Sequence, residues 1–262
     1  MKILAVSDLH SFLHETKRAV DECGMLEDDG AVLLVIGDVL DRGPDPIGMT
    51  EYLLDLASRG KLIFVRGNHE DLLEAALAAI EDHKIVEVLS ASDHTINGTA
   101  ETIFKLAGMT ESEAVGFPRD LVRRVRESRF YTELLPLAVD YYETDGYIFT
   151  HGWIPCFIEG FGSERKYSYD PEWRLADRKR WRVARTLNGM EMAKIHGITE
   201  EGKTVVCGHF HTSYGHANFS KICTERGDDA IFEPYYSDGI IAIDACTAKS
   251  RKVNLVLIDE EK

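Results

Sequence analysis

Apolar runs that break off at an acidic or histidine-bearing loop recur along this chain, and they restrict its fold more than any other feature. Residues 3–6, 31–36, 61–65, 147–150 and 204–207 are each the length of a short strand. Ala31–Ile36 has no polar face, which suits a strand covered on both sides. Between the first three runs lie segments with apolar residues at helical spacing. One covers residues 12–23, through Leu13, Ala19 and Val20; another covers residues 47–59 and ends at Gly60. Pro44 and Pro46 are expected to stop any helix directly after the second loop. Strand, polar loop and helix in repetition imply a mainly parallel sheet, with functional residues at the carboxyl ends of its strands.

The later chain is less regular. A helix is expected over residues 70–83. From 84 to 133, helical stretches at 100–107 and 111–128 are interrupted by Asn97-Gly98 and by residues 116–118. This reads as a helical insertion packed against the core of one domain spanning 1–262, or as a lid, and it holds no cluster of ligand-type residues. Residues 134–142 and 147–150 flank the turn dipeptide Asp145-Gly146 and read as strands. Residues 156–202 begin loop-like and become helical over 174–187. The tail offers strands at 239–244 and 252–259, an antiparallel pair suited to a second sheet.

Charge narrows the partners. The net charge of −15 argues against a duplex nucleic acid, because Lys and Arg supply most nonspecific phosphate affinity. A small phosphorylated ligand stays compatible, since a few cations can make one cleft locally positive. The start, MKILAVSD, reads as a strand, because Asp8 interrupts it too early for a signal peptide. No segment is apolar enough to span a bilayer. The five cysteines form no CxxC pair, which suits reduced thiols in a cytoplasmic protein. No feature sets the oligomeric state.

The chemistry lies in the loops: Asp8-Leu9-His10, Gly37-Asp38-Val39-Leu40-Asp41-Arg42-Gly43, Gly67-Asn68-His69-Glu70, His151-Gly152 and Gly208-His209-Phe210-His211. Asp8 with His10, and His209 with His211, alternate at strand ends and so can turn toward one ion. Asp38 follows a long apolar run, where a carboxylate is costly unless it meets a cation or donors. Its two oxygens make it the best bridge between two metals. Asn68 offers a neutral amide oxygen, and His69 is either a ligand or an acid–base group. Hard oxygens and imidazoles without thiolates favour Mn, Fe, Zn or Mg. Trp153, Trp173 and Trp181 are expected to pack rather than stack on a base. His14, His83, His94, His196 and His216 belong to no motif, and Asp244 is expected to support the ligands from behind or to serve packing.

Gly37-Asp-Val-Leu-Asp-Arg-Gly43 and Arg66-Gly-Asn-His-Glu70 resemble the motif blocks of the calcineurin-like metallophosphoesterases. The resemblance is closest to their phosphoprotein phosphatase branch, which includes small bacterial and phage serine/threonine phosphatases. It implies an α/β fold, a four-layer α/β/β/α sandwich of two mixed sheets, and two divalent metal ions. By motif, Asp8, His10, Asp38 and His211 would hold the first ion, and Asp38, Asn68, His151 and His209 the second. His69, oriented by Asp41, would be the general acid. Arg42 would grip the phosphate, with Arg185 as the second arginine and Arg174 in reserve. The implied reaction is hydrolysis of a phosphomonoester, from a small molecule or a phosphoprotein, by direct attack of a metal-bridging water.

Some residues depart from that branch. Ser7 and Ser11 flank the first motif, and Gly-His-Phe-His is typical of the wider superfamily. Trp153-Ile154-Pro155 resembles the corresponding segment of diadenosine tetraphosphatases. The alternative is therefore hydrolysis of a dinucleoside polyphosphate or a phosphodiester. A noncatalytic scaffold is the third reading, and it conflicts with every ligand position being filled.

Overall fold

The structure is a computed structural model, and it describes residues 1–28, 30–82, 84–90, 96–160 and 162–259. His83 and His94 lie outside the described residues. The first sheet contains β1 (Lys2–Ser7), β2 (Ala31–Ile36) and β3 (Leu62–Val65), mutually parallel, with β11 (Val256–Asp259) antiparallel on β1. The second has the order β4 (Tyr142–Glu143), β5 (Tyr147–Thr150), β8 (Thr204–Cys207), β10 (Ile240–Ala242), β9 (Tyr235–Ser237). Its β5, β8 and β10 are parallel and its edges antiparallel. Both sheets are mixed. A separate hairpin joins β6 (Cys156–Glu159) to β7 (Lys166–Tyr169).

The four layers follow from side-chain alternation along the strands. In β1, Leu4 and Val6 face the outer helices while Ile3 and Ala5 face the second sheet. In β2, Leu33 and Val35 point outward while Leu34 and Ile36 point inward. Phe149, Val206 and Ile243 meet them from the second sheet. On its far side Ile148, Val205 and Ile240 pack with Trp153, Trp173 and Trp181. All three indoles are fully buried, as expected of packing residues. A one-residue slip of any central strand would exchange two apolar layers, so the register is well specified.

Helices α1 (Leu13–Cys23), α2 (Pro46–Ser58) and α3 (Asn68–Glu81) cover the first sheet. Pro46 begins α2 rather than preventing it: it sits at the first turn, where no backbone donor is needed, and Asp45 caps Gly48 N–H at 2.8 Å. Further helices at Ile85–Ser90, Thr99–Ala107, Glu111–Gly116 and Pro118–Glu127 add Ile103, Leu121, Val122 and Val125 to the same outer core.

Three expectations about strands need correction. Residues 134–142 are not one strand: Phe130–Leu134 is a π-helical turn, Leu135–Leu137 is 3-10, and only a bridge from Val139 to Val65 precedes β4. The loop-like start of 156–202 contains the β6–β7 hairpin. The tail strands do not pair with each other, because β10 joins the second sheet and β11 crosses to the first. Among the described residues, no helix is long and apolar enough to cross a membrane, and all five cysteines are free.

Candidate functional site

The polar loops leave β1, β2, β3, β5 and β8 at their carboxyl ends and are tied to one another through the backbone. Asp8 N–H donates to the Gly37 carbonyl at 3.2 Å, His10 N–H to Asp38 at 2.9 Å, and Gly208 N–H to His151 at 2.8 Å. The turns are sharp. Asp8, His10, Ser11, Asp38, Asp41, Arg42 and His209 all have left-handed backbone, with φ between 47° and 72°. That conformation costs an L-residue about 1–2 kcal/mol. These seven stand among ten such non-glycine residues in the described chain, so the strain is concentrated where the polar groups converge.

Asp38 is the centre of the cluster. Its Oδ1 accepts the His69 backbone N–H at 2.9 Å. Its Oδ2 lies 3.2 Å from His151 Nε2, 3.7 Å from His69 Nε2 and 3.9 Å from His10 Nε2. Two donor groups share it: His10, Asp38 and His69, and Asp38, His151 and His209, with ligand atoms within 4.8 Å of one another in each. Asp8 Oδ2 accepts the His209 N–H at 3.0 Å, and Asn68 Oδ1 lies 2.9 Å from His151 Nε2. Gly67 must be glycine for this approach, since a Cβ there would sit 2.2 Å from Asp38 Oδ1.

The imidazoles are oriented from behind. His10 Nδ1–H donates to the Leu40 carbonyl and His151 Nδ1–H to the Ile36 carbonyl, each at 2.9 Å. A carbonyl can only accept, so Nδ1 carries the proton and Nε2 faces the cluster. Arg42 Nη1 donates to His10 Nε2 at 2.8 Å and Nη2 to His69 Nε2 at 3.2 Å. A guanidinium thus stands between two imidazole lone pairs, where a cation is wanted. His69 Nδ1 meets Asp41 Oδ2 at 2.6 Å.

Electrostatics follow from this crowding. Burial, with Asp38 close by, pushes Asp8 up to about 6 against the pull of His151. Asp38 itself is buried, yet His151 and His69 hold it well below the usual carboxylate range. His151 rises to about 10 despite burial, because Asp38 faces it. Burial and His151 together push His209 down to about 3. Burial and Arg42 likewise lower His10. His69 is raised in spite of burial, by Asp38 and Asp41. Neutral His10 and His209 beside an anionic Asp38 form a donor set that suits divalent ions.

Not every expected residue joins the cluster. His211 is 23% exposed, with Nδ1 3.0 Å from Ser213 Oγ and Nε2 3.5 Å from Glu225 Oε1. The Arg185 guanidinium is buried between Asp71, at 2.7 Å, and Asp140, so both its terminal nitrogens are engaged away from Asp38. Arg174 is paired with Glu143 and Glu200. Asp244 is buried, and burial together with Asp8 raises it to about 8. Its carboxylate accepts Cys246 N–H in the turn after β10 and its backbone carbonyl accepts Thr212 N–H, so it ties that turn to the segment after β8.

Other site-shaping residues escape a motif-by-motif reading. Glu70 is buried and accepts N–H groups from Gly67 at 2.7 Å, Asp38 at 3.1 Å and Val39 at 3.1 Å. It ties the start of α3 to the loop after β2. Its spacing, three residues past Gly67, is that of a capping box and was a usable signal. Thr99 Oγ1 donates to Asp41 Oδ2 at 2.7 Å, and Asn97 Oδ1 accepts from Arg42 Nη2 at 3.1 Å. No sequence signal marked those two.

A family model described as calcineurin-like phosphoesterase matches residues 1–232. A symmetrical bis(5'-nucleosyl)-tetraphosphatase from Buchnera aphidicola subsp. Schizaphis graminum is 33% identical over 98 residues, covering 36% of this chain and 35% of that protein. One from Buchnera aphidicola subsp. Acyrthosiphon pisum is 33% identical over 84 residues, covering 32% and 30%. The matches thus span about a third of these curated relatives' length. A protein serine/threonine phosphatase from Saccharomyces cerevisiae aligns over 99% of this chain and 80% of its own, at 10% identity and TM-score 0.49.

Proposed function

Because the chain belongs to the calcineurin-like phosphoesterase family and is a hydrolase, we propose that it hydrolyses phosphomonoesters with two divalent metal ions at the Asp38 cluster. The carrying observation is the convergence of three imidazole Nε2 atoms on Asp38 Oδ2, with Arg42 bonded between two of them. Asp8, His10, Asp38, Asn68, His151 and His209 would hold the ions, with Asp38 shared. His211 would reach the first of them through Nε2 by giving up its Glu225 contact. When bound, the ions supply Lewis acidity and activate water near neutral pH.

The chain's own residues divide the remaining work. His69 holds a proton on Nε2 for the leaving oxygen, the role that suits an imidazole near neutral pH. Asp41 accepts Nδ1–H, which fixes the ring and supports its charged form. Arg42 presents two parallel N–H groups to phosphate oxygens. Its contacts to His10 and His69 are exchanged for phosphate when substrate and ions arrive. The carbonyls of Leu40 and Ile36 hold the His10 and His151 rings with Nε2 inward. Residues 84–133 form an insertion within one domain spanning 1–262.

Dinucleoside polyphosphate hydrolysis is the second reading, favoured by the matches to symmetrical tetraphosphatases. The buried indoles leave no tryptophan free to stack on a base, which favours the monoester. A substrate panel with Mn decides between them: an aryl phosphate, a phosphopeptide, a dinucleoside tetraphosphate and an aryl diester, each against a metal-free control. Highest kcat/KM on a monoester supports the proposal. Preference for the tetraphosphate overturns it in favour of the second reading, and equal rates without metal reject both.

A further inference from the structure

Among the described residues, the helical segment after α3 meets the groups of the site at Asn97, Gly98 and Thr99. Thr99 is fully buried and opens the helix Thr99–Ala107. Its hydroxyl donates to Asp41 Oδ2, the same oxygen that meets His69 Nδ1. Asp41 Oδ1 is buried without a hydrogen-bond partner, so Oδ2 alone defines the carboxylate's orientation. Asn97 Oδ1 accepts from the Arg42 guanidinium on the nitrogen that also meets His69. Between them Gly98 has φ +77, and a Cβ there would lie 2.7 Å from Arg42 N. The backbone of the helical segment therefore presses directly on the Asp41–Arg42 loop.

We infer that Asn97, Gly98 and Thr99 are positioning residues: Thr99 aims the Asp41–His69 pair and Asn97 aims Arg42. The inference rests on the roles proposed for His69, Asp41 and Arg42. An aspartate carboxylate turns broadly about its last torsion. A β-branched donor restricted at χ1 removes that freedom. A hydroxyl donating to an ionised carboxylate is among the stronger neutral-donor bonds. Transition-state contacts tolerate misplacement of only about 0.5 Å, so loss of this bond reaches His69 without any contact between Thr99 and substrate. Asn97 stays with Arg42 when its other two partners are given up to ions and phosphate, which keeps the guanidinium facing the phosphate.

The test compares two phosphomonoesters in the Mn-loaded full chain, an alkyl phosphate with a poor leaving group and a nitrophenyl phosphate with a good one. Thr99→Val should lower kcat on the alkyl ester about tenfold more than on the nitrophenyl ester. KM and bound Mn should stay unchanged, and Thr99→Ser should restore the rate. Equal loss on both esters, or no rescue by serine, overturns the positioning role. Asn97→Ala, at a partly exposed position that tolerates truncation, should raise KM several-fold with kcat kept; an unchanged KM overturns its role. His69→Asn serves as the reference. If it shows no bias toward the poor leaving group, the general-acid reading fails on its own, separately from the inference about Thr99.

Discussion

The site has two halves, and they are built differently. The half on the first sheet draws Asp8, His10, Asp38, Asp41, Arg42, Asn68 and His69 from three parallel strands within the first 70 residues. Adjacent loops, the Glu70 carboxylate and the start of α3 cross-bond nearly every one of these groups. The half on the second sheet supplies His151 and His209 from loops far apart in sequence. Those two reach the first half through long-range contacts: His151 Nδ1 with the Ile36 carbonyl, His151 Nε2 with Asn68 Oδ1 and Asp38 Oδ2, and His209 N–H with Asp8. The first half is thus largely prebuilt by neighbouring loops. The second is correct only when the inter-sheet core of Ile36, Phe149 and Val206 is packed.

The strongest break of this comparison is at its shared residue. Asp38→Asn should lower kcat/KM by about a thousandfold or more, with loss of both ions. Retention of two ions by inductively coupled plasma analysis would remove Asp38 from the bridging position. Next comes a contrast within the second half. His209→Asn should weaken metal affinity by at least about a hundredfold, and His211→Asn by less than about tenfold. Equal losses in a Mn titration would put His211 on the metal and show that it leaves Glu225. The smallest effect separates the two arginines. Arg42→Ala should raise KM about tenfold at unchanged melting temperature. Arg185→Met should lower stability by about 1–2 kcal/mol, because buried Asp71 keeps Arg66 as its partner and Asp140 is exposed to solvent, and leave KM alone. A raised KM in the Arg185 variant would return it to the phosphate.

Legibility in the sequence followed the range of the contacts. Asp8, Asp38, Asn68 and His69 could be read because each loop announces itself where an apolar run ends. Pro46 was misread because a proline that stops one helix also starts another, and Asp45 decides which. The tail strands were misassigned because alternation reveals a strand but not its partner. Arg185 sits where a second phosphate arginine was expected in chain order, but Asp71, 114 residues away, captures it. The basic stretch around it is likewise engaged, with Arg178 on Glu74 and Arg180 on Asp170.

The sequence alone determined the five strands that deliver the site, their polar ends, the residue types at the centre and the family to which they belong. Those are local properties: an apolar run makes a strand, and a carboxylate or histidine at its end has nowhere inexpensive to go without a cation or a donor. Tertiary structure decided which of these groups share a centre, which cations remain free, and that the helical segment after α3 contributes to the site. The physical reason is range. Thr99 and Asp41 are 58 residues apart, Asn97 and Arg42 are 55 apart, and only the packed core brings each pair within a hydrogen bond.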